Sequence, residues 1–186
     1  MKTALLEQIY PRDPHTGNFI IHLAVNTYKD IFNELDPAPI KRKDLNLLLR
    51  SFLEDCSSDI PLKYGIQLSI DINHDVREED KEHKIREGLR NFFLFLVFNQ
   101  RQARIKTLRR VFYFTLISFV SLSLGFYLRS FDQHDWFYIT ATEGFYIGGW
   151  VFFWEAIAML TFKNHDKRIK LKEYERLKNA DISFRY

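Results

Sequence analysis

Apolar and polar residues alternate with period two over residues 66–72 (IQLSIDI), and a compact, β-branched apolar run fills residues 19–25 (FIIHLAV). Both patterns predict strands. Between them the spacing predicts two helices. One, over 28–35, starts at Thr27 with Asp30 as its capping-box partner and is stopped by Pro37 and Pro39; the other, over 44–55, sets Leu45, Leu48, Leu49 and Phe52 on one face. A third helix is expected to begin near Asp75, with Glu78 completing a capping box and Ile85, Leu89, Phe92, Phe93 and Leu96 facing inward. No proline follows, so this helix is expected to run on into the next segment, with room for a bend among basic residues.

That next segment has a different period. Residues 111–128 form 18 residues without a charge, and residues 144–162 form 19 residues with one charge, Glu155. Each run approaches the roughly 20 residues of a membrane-spanning helix, and neither alternates as a strand would. The pattern therefore predicts a two-helix transmembrane hairpin, with spans at about 111–129 and 138–162. A charged helix is expected over 166–178 and a period-two strand at residues 181–186 (DISFRY). With both termini on one side, this strand can join the first two in one sheet, which makes the hairpin an insertion. Two strands alone are marginal, so a third has a physical use. The edges of such a sheet are candidates for pairing between subunits.

The resulting fold class is α+β, a small domain of about three strands and two to three helices with an inserted hairpin. The expected divisions are 1–100 for the domain, 101–110 for a basic juxtamembrane segment, 111–162 for the hairpin, and 163–186 for a basic helix and returning strand. Composition conceals this, since a mean hydropathy of -0.26 and 27% charged residues resemble a soluble protein. About 130 residues outside the hairpin suffice for one modest core. The single cysteine, Cys56, excludes an intrachain disulfide and fits a reducing compartment. Residues 1–10 lack the apolar core of a signal peptide, so export of the N-terminal domain is not expected.

Charge fixes the expected orientation. Arg101, Arg104, Lys106, Arg109 and Arg110 precede the first span, and Lys163, Lys167, Arg168, Lys170 and Lys172 follow the second, whereas the turn offers Arg129 against Asp132 and Asp135. Basic residues are retained on the cytoplasmic side, so both termini are expected there, in the cell inner membrane. Phe126, Tyr127, Trp136, Phe137 and Tyr138 fit the outer interface, and Phe112, Tyr113 and Phe114 the inner one.

Three groups of residues invite chemistry. Glu155 lies within a span, on a stripe with Gly144, Gly148 and Ala158, and the first span has a matching stripe of Thr115, Ser118, Ser121 and Gly125. Counting from the cytoplasmic edge sets Glu155 level with Ser118 and Gly148 level with Gly125. Glu155 then either bonds a hydroxyl across a tight hairpin or, in an oligomer, lines a path for protons or cations. Glu143 sits near the outer interface. Asp71, Asn73, Asp75 and Glu82 occupy positions 1, 3, 5 and 12 of an EF-hand loop, but Val76 stands where glycine is needed and a strand precedes it, so capping is the expected use of Asp75. The basic belt (Arg101, Arg104, Lys106, Arg109, Arg110, Lys163, Lys167 and Arg168) sets topology and can meet anionic lipid headgroups.

No Gly-rich phosphate loop, paired histidines at metal spacing or nucleophile elbow occurs, and His22, His74 and His83 form no recognisable set. Neither an enzyme, a metal, another cofactor nor nucleic acid is expected. Residues 30–45 (DIFNELDPAPIKRKDL), 52–64 (FLEDCSSDIPLKY) and 147–156 (IGGWVFFWEA) together resemble an uncharacterised family of small prokaryotic membrane proteins with two transmembrane helices and a cytosolic α+β domain. The resemblance runs from about residue 18 onward, implies that architecture and a bacterial or archaeal cell membrane, and brings no activity or catalytic residue. The expected partners are membrane lipid, further copies in a homo-oligomer, and a cytosolic protein. The expected function is a non-enzymatic, membrane-anchored interaction or self-assembly module, with a small oligomeric pore or membrane-perturbing effector as the alternative.

Overall fold

The computed structural model describes residues 2–130 and 136–186; the expected turn acids Asp132 and Asp135 lie outside the described residues. The chain is mixed helix and strand and divides into two compact units, residues 1–99 with 170–186, and residues 100–169.

The first unit is built on three parallel strands, β1 (Phe19–Val25), β2 (Ile66–Ile72) and β3 (Asp181–Arg185), in the order β1-β2-β3. In register, Ile21 faces Leu68 and His22 faces Ser69, while Leu68 faces Ile182 and Ser69 faces Ser183. Because side chains alternate across a sheet, Phe19, Ile21, Leu23, Ile66, Leu68, Ile70 and Ile72 all point into one buried core. The opposite face is mostly polar: His22, Ala24, Ser183 and Arg185 are exposed there, Ile20, Gln67 and Asp71 half-buried, and Ser69 buried at its centre. Helices therefore cover one face of the sheet only, although all-parallel sheets ordinarily carry them on both.

The covering helices are α2 (Leu47–Asp59), the first part of α3 (Glu79–Leu128) and the last part of α5 (Asn164–Lys178); a short α1 (Lys2–Ile9) precedes them, and a single 3-10 turn (Tyr28–Ile31) stands where a helix over 28–35 is expected. In α3 the expected inward face is buried, with Ile85, Leu89, Phe92, Phe93 and Leu96 joined by Val97. Helix α2 differs. It starts at Asn46, whose side chain accepts from the Leu48 amide at 2.9 Å, because Asp44 is engaged by the preceding loop, donating its amide to the Asp36 carboxylate and accepting from the Asn33 amide at its carbonyl. The shift turns Leu53, Cys56, Ser57 and Ile60 inward and leaves Leu48 and Phe52 exposed. Asp75 does not cap α3 either; its carboxylate accepts the Tyr28 amide at 2.7 Å and so caps the 3-10 turn from across the chain.

The C-terminal segment is fastened at three places. Arg176, on α5, donates to the carbonyls of Ile60, Pro61, Tyr64 and Ser57, at the end of α2, and its Nη2 lies 3.0 Å from Ser57 Oγ. A cation at a helix C-terminus complements both the orphan carbonyls and the helix dipole. Tyr28 and Tyr186 share a hydrogen bond, Tyr186 donates to the buried Glu82 at 2.7 Å, and Arg86 pairs with Glu82 at 3.0 Å. Arg86 also donates to the Ile182 carbonyl at 3.1 Å and stacks over Phe184. The β3 edge is thus five residues long, charged at both ends and partly occupied by Arg86, which blunts it as a site for pairing between subunits.

Arg176→Ala is expected to cost about 3 kcal/mol, since it orphans several carbonyls at once. Thermal unfolding of the full chain in detergent should show Tm lowered by roughly 5–10 °C, with little recovery in Arg176→Lys. An unchanged Tm would contradict the clamp.

Candidate functional site

In the second unit α3 continues without interruption through the basic segment to Leu128, and α4 (Trp136–Ala158) returns, followed by one π-helical turn (Met159–Lys163) and the start of α5. Both long helices are apolar enough to cross a membrane, and their most apolar windows are only 11% and 17% buried within the molecule. A core helix of a soluble protein would be covered by its own chain; these are bare.

The helices meet along a seam with alternating steps of three and four. On α3 it runs through Thr107, Val111, Phe114, Ser118, Ser121 and Gly125, and on α4 through Thr142, Phe145, Gly149, Phe152, Ala156 and then Met159. This is the spacing of left-handed, coiled-coil-like packing. Small residues allow the close approach: a Cβ on Gly149 would sit 2.7 Å from Leu122 Cγ, and one on Gly125 would sit 3.3 Å from Phe145 Cβ. Ser118 Oγ donates to the Gly149 carbonyl and Ser121 Oγ to the Phe145 carbonyl, each at 2.8 Å. Phe114 stacks on Phe152.

This seam corrects the expected register. Ser118 faces Gly149 rather than Glu155, a difference of nearly two helical turns along α4, and Gly125 faces Thr142 and Phe145 rather than Gly148. Counting inward from a common edge assumes that the two apolar runs begin level; they do not, since Ser118 lies against Gly149 and Ser121 against Phe145. A one-residue change also rotates a helical stripe by about 100°. Hence Gly144 has nothing within 4 Å of its Cβ position, Gly148 approaches only Ser121 Oγ at 3.8 Å, and Ala158 and Thr115 are half-buried. Of the expected packing residues, Ser118, Ser121 and Gly125 lie on the seam. Gly149, Thr142 and Ala156 were missed, although their seven-residue spacing was present to be read.

Glu155 points away from the seam. It is 47% exposed, and Lys163 Nζ lies 3.6 Å from its Oε1. The long lysine stem reaches back from the basic end of the helix and partly neutralises a carboxylate on an otherwise apolar surface. Glu155 and Glu143 both line an open groove of about 850 Å³ on the outer face of α4, among Tyr146, Trp150 and Trp154.

The belt residues divide by role. Lys167 donates to the Ala103 carbonyl at 3.1 Å and to Thr107 Oγ1 at 2.5 Å, and Arg104 donates to Asn164 at 3.1 Å, so these two tie α5 to α3. Lys106, Arg109, Arg110, Lys163 and Arg168 are exposed, as is Arg101. Among the described residues no group of three or more His, Cys, Asp or Glu is placed to hold a metal, and Asp71, in β2, is not part of a loop with Asn73, Asp75 and Glu82. Burial pushes the Cys56 thiol up from its ordinary value, which suits an inert core residue.

The first unit holds a feature that the pattern of the chain did not single out. Phe92, Leu94, Phe95 and Phe98 on α3 form one wall of a groove of about 830 Å³ whose other wall is the basic loop Lys41, Arg42 and Lys43. Leu94, Phe95 and Phe98 are more than half, or half, exposed, at 50%, 58% and 56%. Their i, i+1, i+4 spacing was legible, but the inward run ending at Val97 masks it.

No family model matches the chain, and neither the curated proteins nor the solved structures contain a match to it.

Gly149→Ala forces a methyl against Leu122 and is expected to destabilise the helix pair by about 1–3 kcal/mol, whereas Gly144→Ala, into open space, should stay within about 0.5 kcal/mol. Titration with SDS in mixed micelles reads both. Equal effects would contradict the register described.

Proposed function

We propose that the chain is a non-enzymatic protein of the cell inner membrane, crossing it twice with both termini cytoplasmic, whose α+β unit is a docking module for a cytosolic protein or a second copy of itself. The observation that carries this reading is the groove of Leu94, Phe95 and Phe98 against Lys41, Arg42 and Lys43. Three large apolar side chains left in water cost free energy unless a partner covers them, and an aromatic floor with a basic rim is the anatomy of an interaction site. The bareness of the two long helices supports lipid as their solvent. The flanking basic residues support the orientation, and the exposed Lys106, Arg109, Arg110, Lys163 and Arg168 are within reach of anionic headgroups in it.

A second reading is favoured by the outer face of α4. Glu143 and Glu155 share a groove there, and Gly144 and Gly148 are left almost unused by the hairpin. Several copies packed through this face would bring the carboxylates together around a path for protons or cations. A lone hairpin encloses no lumen, so this reading requires a ring.

Native mass spectrometry of the full chain in nanodiscs separates the two. The docking reading expects a dimer or a co-purified partner, lost in Phe95→Glu/Phe98→Glu. A closed ring of several copies that survives this change would favour the pore. A strict monomer with no partner, unchanged by the substitutions, would contradict both.

A further inference from the structure

A second cavity of the first unit, about 290 Å³, opens at the carboxyl ends of β1 and β2. It is floored by Tyr28 and Phe32 and lined by Lys29, Lys43 and Lys81 and by a single carboxylate, Asp75. Lys81 is held by Glu78 at 2.7 Å, but Lys29 and Lys43 have no ion-pair partner among the described residues. Lys29 and Lys43, neither in a salt bridge among the described residues, therefore line one cavity together with Lys81. The loops that follow β1 and β2 converge at the carboxyl ends of those strands, which brings Lys29 and Asp75 to the same opening.

The walls are fixed rather than adaptable. Phe32 and Leu45 form an isolated β-bridge, and the loop between them is held by Asp36, whose side chain accepts from the Ala38 amide at 2.9 Å and the Asp44 amide at 2.7 Å. Those two amides hold the Asp36 carboxyl below the usual carboxylate range, so the loop keeps this support above the ordinary aspartate pKa and loses it as pH falls through the lowered value. Gly88 on α3 permits the closest approach: a Cβ there would lie 2.6 Å from the Ile40 carbonyl and 3.1 Å from Phe32. The Tyr28 amide is bound by Asp75, and its hydroxyl by Tyr186. A preformed cavity of this kind binds with little ordering cost.

We propose that this cavity binds a small phosphorylated ligand of mononucleotide size, with its phosphate against Lys29 and Lys43 and its planar body against Tyr28 and Phe32. Lysine ammonium groups act as point charges toward phosphate, and convergent cations favour a dianion over a single carboxylate. Tyr28 and Phe32 supply the apolar contact and Asp75 an acceptor for a hydroxyl or amino group. The cavity shares Lys43 with the rim of the groove at Leu94, Phe95 and Phe98 but takes none of those three residues, and its ligand does not rest on docking there.

Isothermal titration calorimetry of the full chain in an uncharged detergent, with AMP, GMP and UMP as probes and adenosine and inorganic phosphate as comparisons, tests the proposal. At least one nucleotide should bind roughly tenfold or more tighter than adenosine or phosphate alone. Lys29→Ala/Lys43→Ala should weaken that binding at least about tenfold and flatten its salt dependence. Lys41→Ala/Arg42→Ala, which removes the same charge outside the cavity, and Phe95→Glu/Phe98→Glu should leave it unchanged. The proposal is overturned if no nucleotide binds at millimolar concentration, if adenosine binds as tightly as AMP, or if the Lys41/Arg42 control weakens binding as much as the cavity variant.

Discussion

Strand β2 is hydrogen-bonded on both sides, and the partner on one side, β3, arrives only after the chain has passed through the whole second unit. Two strands with one apolar face would be marginal, so the domain depends on that return. The pairing fixes more than a strand. It brings Arg176 onto the carbonyls that end α2 and Tyr186 onto Tyr28 and Glu82, so that the last residues of the chain seal the core they arrive at. The residues between must leave the domain and come back to it. A pair of antiparallel helices satisfies that requirement, and it forces both entry and exit onto one side of whatever the pair crosses.

The same economy governs the second unit. Its helices use a narrow seam of small residues and hydroxyls, so that backbones approach closely and Ser118 and Ser121 bond carbonyls across the pair. Most of the surface outside that seam is large and apolar, with Phe112, Phe119, Phe126, Ile147, Trp150 and Trp154 exposed. In water such a surface would drive aggregation; in lipid it costs nothing, and association there relies on packing and hydrogen bonds rather than on the hydrophobic effect. Glu143 and Glu155 are the carboxylates of the outer face, and the ion pair of Glu155 with Lys163 carries its charge toward the basic end of the helix.

The strands, the inward face of α3 and the returning β3 were legible because each is a periodic pattern with one solution, a period of two or a 3.6-residue stripe. Boundaries set by side-chain competition were not. Asp44 and Asn46 are both good caps, and only the loop that claims Asp44 decides between them. The hairpin register was hidden for a related reason: the relative height of two helices is set by the close approach of Gly149 to Leu122, which counting inward from the span edges does not reveal. The cavity at the strand ends was the least legible, since Lys29, Lys43 and Lys81 come from three separate segments and meet only through the parallel pairing of β1 with β2.

Two crossings with both ends on one side are the arrangement on which the proposed function depends. Single cysteines at the exposed Ser130 and Asn179, in a Cys56→Ser background, report this when intact cells are treated with a membrane-impermeant maleimide. With two crossings, Ser130→Cys reacts in intact cells and Asn179→Cys reacts only after lysis. Reaction of both positions, or of neither, before lysis would contradict that arrangement.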